Sequence, residues 1–393
     1  MNSELLTGIA ELTTHDAPTP AESTRLTDAA LVVEDGRIAW IGPAAAAPDA
    51  DIRTDLGGRA VLPGWVDSHT HLVFAGDRAA EFEARMAGRA YEAGGIATTV
   101  AATRAATDDA LRASSTRLRA EAYGLGTTTL ETKTGYGLDV ASEARLARIG
   151  REVADSVTYL GAHLLPAGVD RRDYLDLVVG PMLDAVLPFV DAIDVFCETG
   201  AFDVEESREV LLAGRAAGLR LRVHGNQLGD SGGVALAAEL GAASVDHVNH
   251  VSASDIAALA DAAVTAVLLP AADLSTREPL APARRLADAG VPIAIASNCN
   301  PGSSYTTSMA FCVATAVLQQ RLTLAEALWA ATRGGARVLG LDDGPDAVGA
   351  IRVGGPADLH VLDAPSAAHL AYRPGVPLTA EVRRRGLPVG SRH

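Results

Sequence analysis

The chain is short of cysteine, of aromatic side chains and of positive charge, and each shortage removes a class of protein. Only three cysteines, Cys197, Cys299 and Cys312, stand far apart in 393 residues. An odd number at such spacing builds no disulfide framework and suits a reducing compartment. Lys and Arg number 33 against 49 Asp and Glu, a formal charge of −16. No basic run interrupts this acidity, so neither nucleic acid nor an anionic membrane is an expected partner. No apolar run reaches bilayer-spanning length. The opening stretch MNSELLTGIAELTTHD has no basic start leading into an apolar core, so no signal peptide and a cytoplasmic location are expected. Aromatic residues make up 4% of a chain that is 48% hydrophobic, so Ala, Val and Leu form the core, with 38 Gly at turns and close approaches.

What is present alternates. Eight short apolar stretches read as strands: AVLPGWVDSH, TTTLETK, SVTYLGAH, AIDVFCE, LRLRVHGN, ASVDHV, AVTAVLLP and VPIAIASN. Between them lie segments long enough for a helix each, such as EARLARIGREVA (143–154) and EESREVLLAGRAAG (205–218). Gly218, Gly241 and Gly290 precede strands where a helix ends. The pattern predicts an α/β fold, a (β/α)8 TIM-like barrel over residues 62–344. Residues 1–61 and 345–393 read as β structure, including a hairpin about Asp35-Gly36, and are expected to pair into a small composite β-sandwich domain.

A barrel of this kind carries its chemistry at the C-terminal ends of its strands. Five of the ten histidines fall there: His69 and His71 after strand one, His163 after three, His224 after five and His247 after six. Glu131, Lys133 and Glu198 end strands two and four, and Ser297-Asn298-Cys299-Asn300 ends strand eight. Residues two apart on a strand share a face, so His69 and His71 can grip one cation. A histidine-rich mouth points to one divalent metal ion, Zn2+ or Fe2+. Such an ion brings the pKa of a bound water to about 7, which suits hydrolysis of a C–N bond. His15, His360, His369 and His393 lie outside the barrel and read as surface residues, and His250 as structural.

The V-D-S-H-T-H motif, the single histidines ending strands five and six and the β-domain built from both termini resemble the amidohydrolase superfamily. Within it, HLVFAGDR, RMAGRAYEAGGI, ETKTGYGL, YLGAH, DVFCETGAF, RVHGNQL, SVDHV and NCNPGSS resemble, in order and spacing, the imidazolonepropionase family. That resemblance implies hydrolysis of 4-imidazolone-5-propanoate to N-formimidoyl-L-glutamate in histidine degradation, on an anionic small-molecule substrate, by a homodimer. It implies His69, His71 and His224 as metal ligands, with His247 and Gln227 around the attacking water. It implies Arg78, Tyr91, Tyr136, His163, Asn300, Gly302 and Ser303 as substrate contacts. An arginine one turn past the metal pair suits a bidentate grip on the propionate. The loop Asn300-Pro301-Gly302-Ser303-Ser304 resembles one whose backbone N–H groups face a ligand, and Asn-Pro-Gly also reads simply as a turn. Glu131 and Glu198 read as buried hydrogen-bond anchors. The other readings are a deaminase or cyclic amidohydrolase acting on another heterocycle, and a non-catalytic, degenerate barrel.

One position departs from the pattern. Strand eight of the superfamily ends in an Asp that touches the metal and takes a proton from its water, and here the residue is Asn298. An amide oxygen can ligate but cannot accept a proton at neutral pH. Losing a general base costs about 10² to 10⁴ in rate. Asn298→Asp is therefore expected to raise turnover within that range and to tighten metal binding. A neutral or harmful effect in steady-state kinetics would mean that another group carries the proton.

Overall fold

The alternation resolves into two sheets in the computed structural model, which describes residues 3–22, 24–88 and 95–390. Four N-terminal strands come first: β1 (Glu4–Thr13), β2 (Arg25–Glu34), β3 (Arg37–Pro43) and β4 (Ile52–Pro63). Eight short strands follow: β5 (Trp65–Asp67), β6 (Thr127–Lys133), β7 (Ser156–Ala162), β8 (Ala192–Cys197), β9 (Arg220–Gly225), β10 (Ser244–His247), β11 (Thr265–Leu268) and β12 (Ile293–Ile295). Near the C-terminus lie β13 (Leu359–Leu362), β14 (Thr379–Arg384) and β15 (Leu387–Val389).

The terminal strands make one mixed seven-stranded sheet, β15-β14-β13-β4-β1-β2-β3. Its core draws Leu6, Leu31, Val33, Ile38 and Val61 from the N-terminal strands together with Ile351, Leu359 and Val361 from the far end of the chain. The other eight strands follow one another in sequence order as a parallel sheet. It curves into a nearly closed barrel: Asn298 N–H donates to the His69 carbonyl (3.0 Å) and His71 N–H to that of Cys299 (2.9 Å). Every residue of β6, β7 and β8 is buried, as a parallel sheet covered on both faces requires. Helices between the strands carry the expected signals. Asp139, Asp203 and Ser252 cap helices 140–153, 204–216 and 253–262, and Gly218, Gly241 and Gly290 take positive φ after their helices.

By contacts the chain divides into two compact units, Met1–Ser68 with Ala120–Thr129 and Ser308–His393, and His69–Arg119 with Leu130–Thr307. The stretch AVLPGWVDSH, read as one strand, is divided at Gly64. Ala60–Pro63 belong to β4, while β5 holds only Trp65–Asp67. Gly64 N–H bonds to the Asp358 carbonyl and Trp65 N–H to that of Gly126, so the backbone changes partner at this residue. A Cβ on Gly64 would meet the Thr128 side chain at 2.2 Å, which reserves the switch for glycine.

Two histidines read as surface residues are instead in the core. His15 packs on Trp329 with ring centroids 5.5 Å apart and bonds through Nδ1 to Thr332 Oγ1 at 2.8 Å. His360 lies edge-on to Trp65 at 5.2 Å and bonds Thr379 Oγ1 at 2.9 Å. His15 stands among Thr13, Thr14 and Asp16 and His360 between Leu359 and Val361, but aromatic partners from distant segments cover both, which a local reading cannot see. Burial holds both pKa values down, to about 3. Between pH 6.5 and about 3 the unfolded chain binds these two protons and the folded chain does not, so stability falls as pH falls. At about pH 5.5 each costs roughly 1.4 kcal/mol. Urea midpoints at pH 7.5 and 5.5 should show this loss, and His360→Gln should reduce it by about one histidine's share; an unchanged pH slope would contradict the assignment.

Candidate functional site

The second unit gathers five histidines at the strand ends. His69 and His71 follow β5 and their ring centroids lie 5.3 Å apart; that of His224, on β9, lies 4.6 Å from His69 and 5.7 Å from His71. His247, at the end of β10, is 5.4 Å from His224, and His163, just past β7, is 5.8 Å from His71. Ligand nitrogens of His69, His71 and His224 all fall within 4.8 Å of one another, close enough for one ion.

The surroundings fix these rings. His69 Nδ1 is 2.6 Å from Asp246 Oδ2, and His224 Nδ1 is 3.0 Å from Asp194 Oδ2. A carboxylate behind an imidazole sets its tautomer and raises its power as a ligand. Burial first, then the charge of Lys133, pushes His69 well below its ordinary pKa; burial and the neighbouring His69 do the same to His71. Both are therefore neutral, the form that binds metal. Burial also lowers His163 to about 4 and His247 to about 3. Burial alone would raise the two aspartates. His224 and Lys133 hold Asp194 low, and Arg222 and Lys133 hold Asp246 low, so both stay ionised.

Several buried polar atoms at the centre have no hydrogen-bond partner among the described residues: His69 Nε2, His71 Nδ1, His247 Nδ1 and Asn298 Oδ1. Leaving such atoms unpaired costs about 1–3 kcal/mol each. A cation with its water would satisfy them, and imidazole nitrogens with an amide oxygen are a donor set that divalent transition metals accept. The residues present fit the ion. Backbone strain marks the same place: His247 has φ +83°, Val248 +52° and Asn298 +53°.

Comparison with known proteins settles the family. Residues 198–380 match the model of the amidohydrolase family. The chain is 64% identical over 392 residues to the imidazolonepropionase of Saccharopolyspora erythraea, covering 100% of both, and 62% identical over 400 residues to that of an Arthrobacter species, covering 98% and 99%. This chain belongs to the imidazolonepropionase family. Solved structures agree on the fold: a triazine hydrolase from Arthrobacter aurescens (TM-score 0.76, 20% identity, covering 99% of this chain and 94% of that one) and a guanine deaminase from C. acetobutylicum (TM-score 0.71, 15% identity, 99% and 100%).

The residues assigned through likeness to imidazolonepropionases share one pocket for the most part. His71, Arg78, Tyr136, His163, His224, Gln227, His247, Asn298, Asn300 and Ser303 line it, together with Ile96 and Phe196. Tyr91 lies outside the described residues. Arg78 is buried, not a surface residue, and Glu81 holds its guanidinium at 2.8 Å on Nε and 2.6 Å on Nη2. Glycine makes room for it: a Cβ on Gly302 would lie 2.1 Å from Arg78 Nη1, and one on Gly95 2.2 Å from Nη2.

Of its two sequence readings, the strand-eight loop takes that of a turn. The N–H groups of Gly302 and Ser303 both donate to Asn300 Oδ1 at 2.8 Å. Asn300 Nδ2 is also engaged, by the Asn298 carbonyl and Ser303 Oγ. An asparagine side chain that satisfies its own turn is a standard rival to open N–H groups. Arg85, which the sequence reading passed over, fastens the loop from outside through the Gly302 carbonyl at 2.9 Å. Glu131 and Glu198 are buried acceptors: Glu131 takes the Thr70 N–H, and Glu198 Oε2 takes those of Gln227 and Leu228. The sequence reading also missed Asp194, Asp246 and Arg222. Their one signal is a charge at an interior position of an apolar strand, as in AIDVFCE and SVDHV.

His69→Ala and His224→Ala are each expected to lose a bound ion that the unaltered protein retains at about one per chain. Asp246→Asn should keep the ligands but weaken affinity by about 10- to 100-fold. Metal analysis after dialysis decides; full occupancy in both alanine variants would refute the ligand set.

Proposed function

We infer that this chain is a metal-dependent cyclic amidohydrolase that opens the ring of 4-imidazolone-5-propanoate to give N-formimidoyl-L-glutamate, a step of histidine degradation. The observation that carries this reading is one pocket holding a buried arginine beside neutral histidines, in a chain that matches imidazolonepropionases over its full length. A cation beside neutral metal-binding rings suits a substrate with a carboxylate at one end and a hydrolysable ring at the other.

His69, His71 and His224 would hold the ion, Zn2+ or Fe2+, with the Asn298 amide oxygen as a further ligand. A divalent ion there would supply Lewis acidity, polarising the ring carbonyl and acidifying a water. Arg78 grips the propionate, its plane set by Glu81, and Tyr136, Tyr91 and His163 flank the ring. Asn300, Gly302 and Ser303 shape the loop that walls the Arg78 end. Of His247, Gln227 and Asn298, only the imidazole can take up a proton, because the other two are amides. His247 therefore accepts the proton of the attacking water and passes it to the departing ring nitrogen. Its low pKa limits this at rest; negative charge developing on the carbonyl oxygen beside it raises its basicity during reaction.

The catalytic domain is residues 62–344, with 1–61 and 345–393 as its companion β-domain. The enzyme is cytoplasmic and homodimeric in this reading. Among the described residues, no helix is long and apolar enough to cross a membrane.

Arg78→Met should raise KM for the imidazolone by the equivalent of roughly 2–5 kcal/mol, with metal content unchanged. Ring-opening kinetics and metal analysis on the same sample test this. An unaltered KM would remove Arg78 from the substrate site and favour an uncharged heterocycle as substrate.

A further inference from the structure

Glu143 is a buried carboxylate that the proposed reaction does not use. It lies in the first turn of helix 140–153, and its side chain reaches back to the loop that follows β6. Oε1 accepts the N–H groups of Gly137 at 2.6 Å, Leu138 at 2.9 Å and Gly135 at 3.2 Å. Oε2 accepts that of Gly135 at 3.0 Å, and the Thr134 hydroxyl bonds the same carboxyl group. Burial pushes its pKa up, and these donors pull the other way. One side chain thus gathers the polar groups of a five-residue turn.

The turn bends sharply, with φ +105° at Gly135 and +56° at Leu138. A Cβ on Gly137 would lie 2.7 Å from the Glu143 backbone nitrogen, so turn and helix start are packed closely. Two groups of this turn serve the pocket. Tyr136 brings its ring centroid to 5.4 Å from that of His163 and 5.9 Å from that of His71. The Gly135 carbonyl lies 2.9 Å from His163 Nδ1. A carbonyl oxygen only accepts, so Nδ1 carries the proton of the neutral ring and Nε2 is left as an acceptor. His163 can therefore receive an N–H from a ligand but cannot donate one.

We propose that Glu143 is a positioning residue for the substrate ring: by holding the 134–138 turn it places Tyr136 and keeps His163 in the tautomer that accepts a ring N–H. The inference rests on the ring-opening reading given above, because the imidazolone ring carries N–H groups. Glu143 does not itself line the pocket and acts through these two side chains. With the carboxylate gone, the peptide groups of the turn can rotate and the Gly135 carbonyl can leave Nδ1. His163 then exchanges between its two tautomers, and the site no longer favours a ring that bears an N–H.

Glu143→Gln keeps the volume but turns an amide N–H2 toward the donors of the turn, and two readouts separate positioning from support of the fold. The first is nitrogen NMR of histidine-labelled, Zn2+-loaded protein, with His163 assigned through His163→Asn. Wild type should show a protonated Nδ1 and a bare Nε2, and Glu143→Gln a mixture. The second is competitive inhibition by the isomeric pyrrole propionates against their furan counterparts, which lack the ring N–H. Wild type should prefer a pyrrole by roughly 10-fold and the variant by less than about 3-fold. Turnover of the imidazolone should fall by up to about 100-fold, with metal content unchanged. If Glu143→Gln does not fold, Thr134→Val, which removes one donor to the carboxyl group, should move both readouts in the same direction. A folded variant that keeps either the wild-type tautomer or the wild-type pyrrole preference overturns the proposal and leaves the ring-opening reading intact, however far its stability falls. So does a wild type whose His163 is protonated on Nε2. A wild type that neither opens the imidazolone nor binds any of these propionates overturns the ring-opening reading and the proposal with it.

Discussion

The pairing of histidine rings with buried carboxylates is the interaction on which the site depends. His69 meets Asp246 at 2.6 Å and His224 meets Asp194 at 3.0 Å, in surroundings without solvent. Each carboxylate turns one ring nitrogen away from the pocket and so commits the other to it. Carboxylates at that depth are stable only if cations accompany them, which is why Lys133 and Arg222 lie on the inner face of the barrel where apolar side chains would otherwise pack. The barrel's interior thus holds the charges that keep these rings in place for the proposed metal ion.

The same logic reaches the loops. Glu198 fastens the turn that carries Gln227, Asn300 satisfies the turn after β12, and Arg85 holds that turn from its far side. The chain carries positive φ at His247, Val248 and Asn298, conformations that persist only where surrounding contacts over-determine them. These contacts let short strand ends present side chains precisely without long loops. Glycines at 95 and 302 then leave a slot in which one arginine can lie flat.

Asn298 changes how such a site divides its work. Its amide can approach a cation, and its oxygen has no other partner among the described residues, but it cannot store a proton. In the proposed reaction the proton task falls to His247, whose neutrality at rest follows from burial. An amide at strand eight also leaves the centre more positive than a carboxylate would, which favours ionisation of a water there.

Much of this was legible in the chain by itself. Eight apolar stretches at helix-length intervals specified the barrel, because burial on both faces demands uninterrupted apolar runs. Histidines at the ends of those runs marked the mouth, because that is where a parallel barrel exposes its strand ends. What the chain could not disclose was partnership across long separations. Asp246 and His69 are 177 residues apart, and Glu131 and Arg222 are 91 apart, so nothing local identifies them as pairs. His15 and His360 read as surface residues for the same reason, since the rings that cover them come from distant segments. Only the closed structure decided which charges would be buried together, and electrostatics at low dielectric required every one of them to find a partner there.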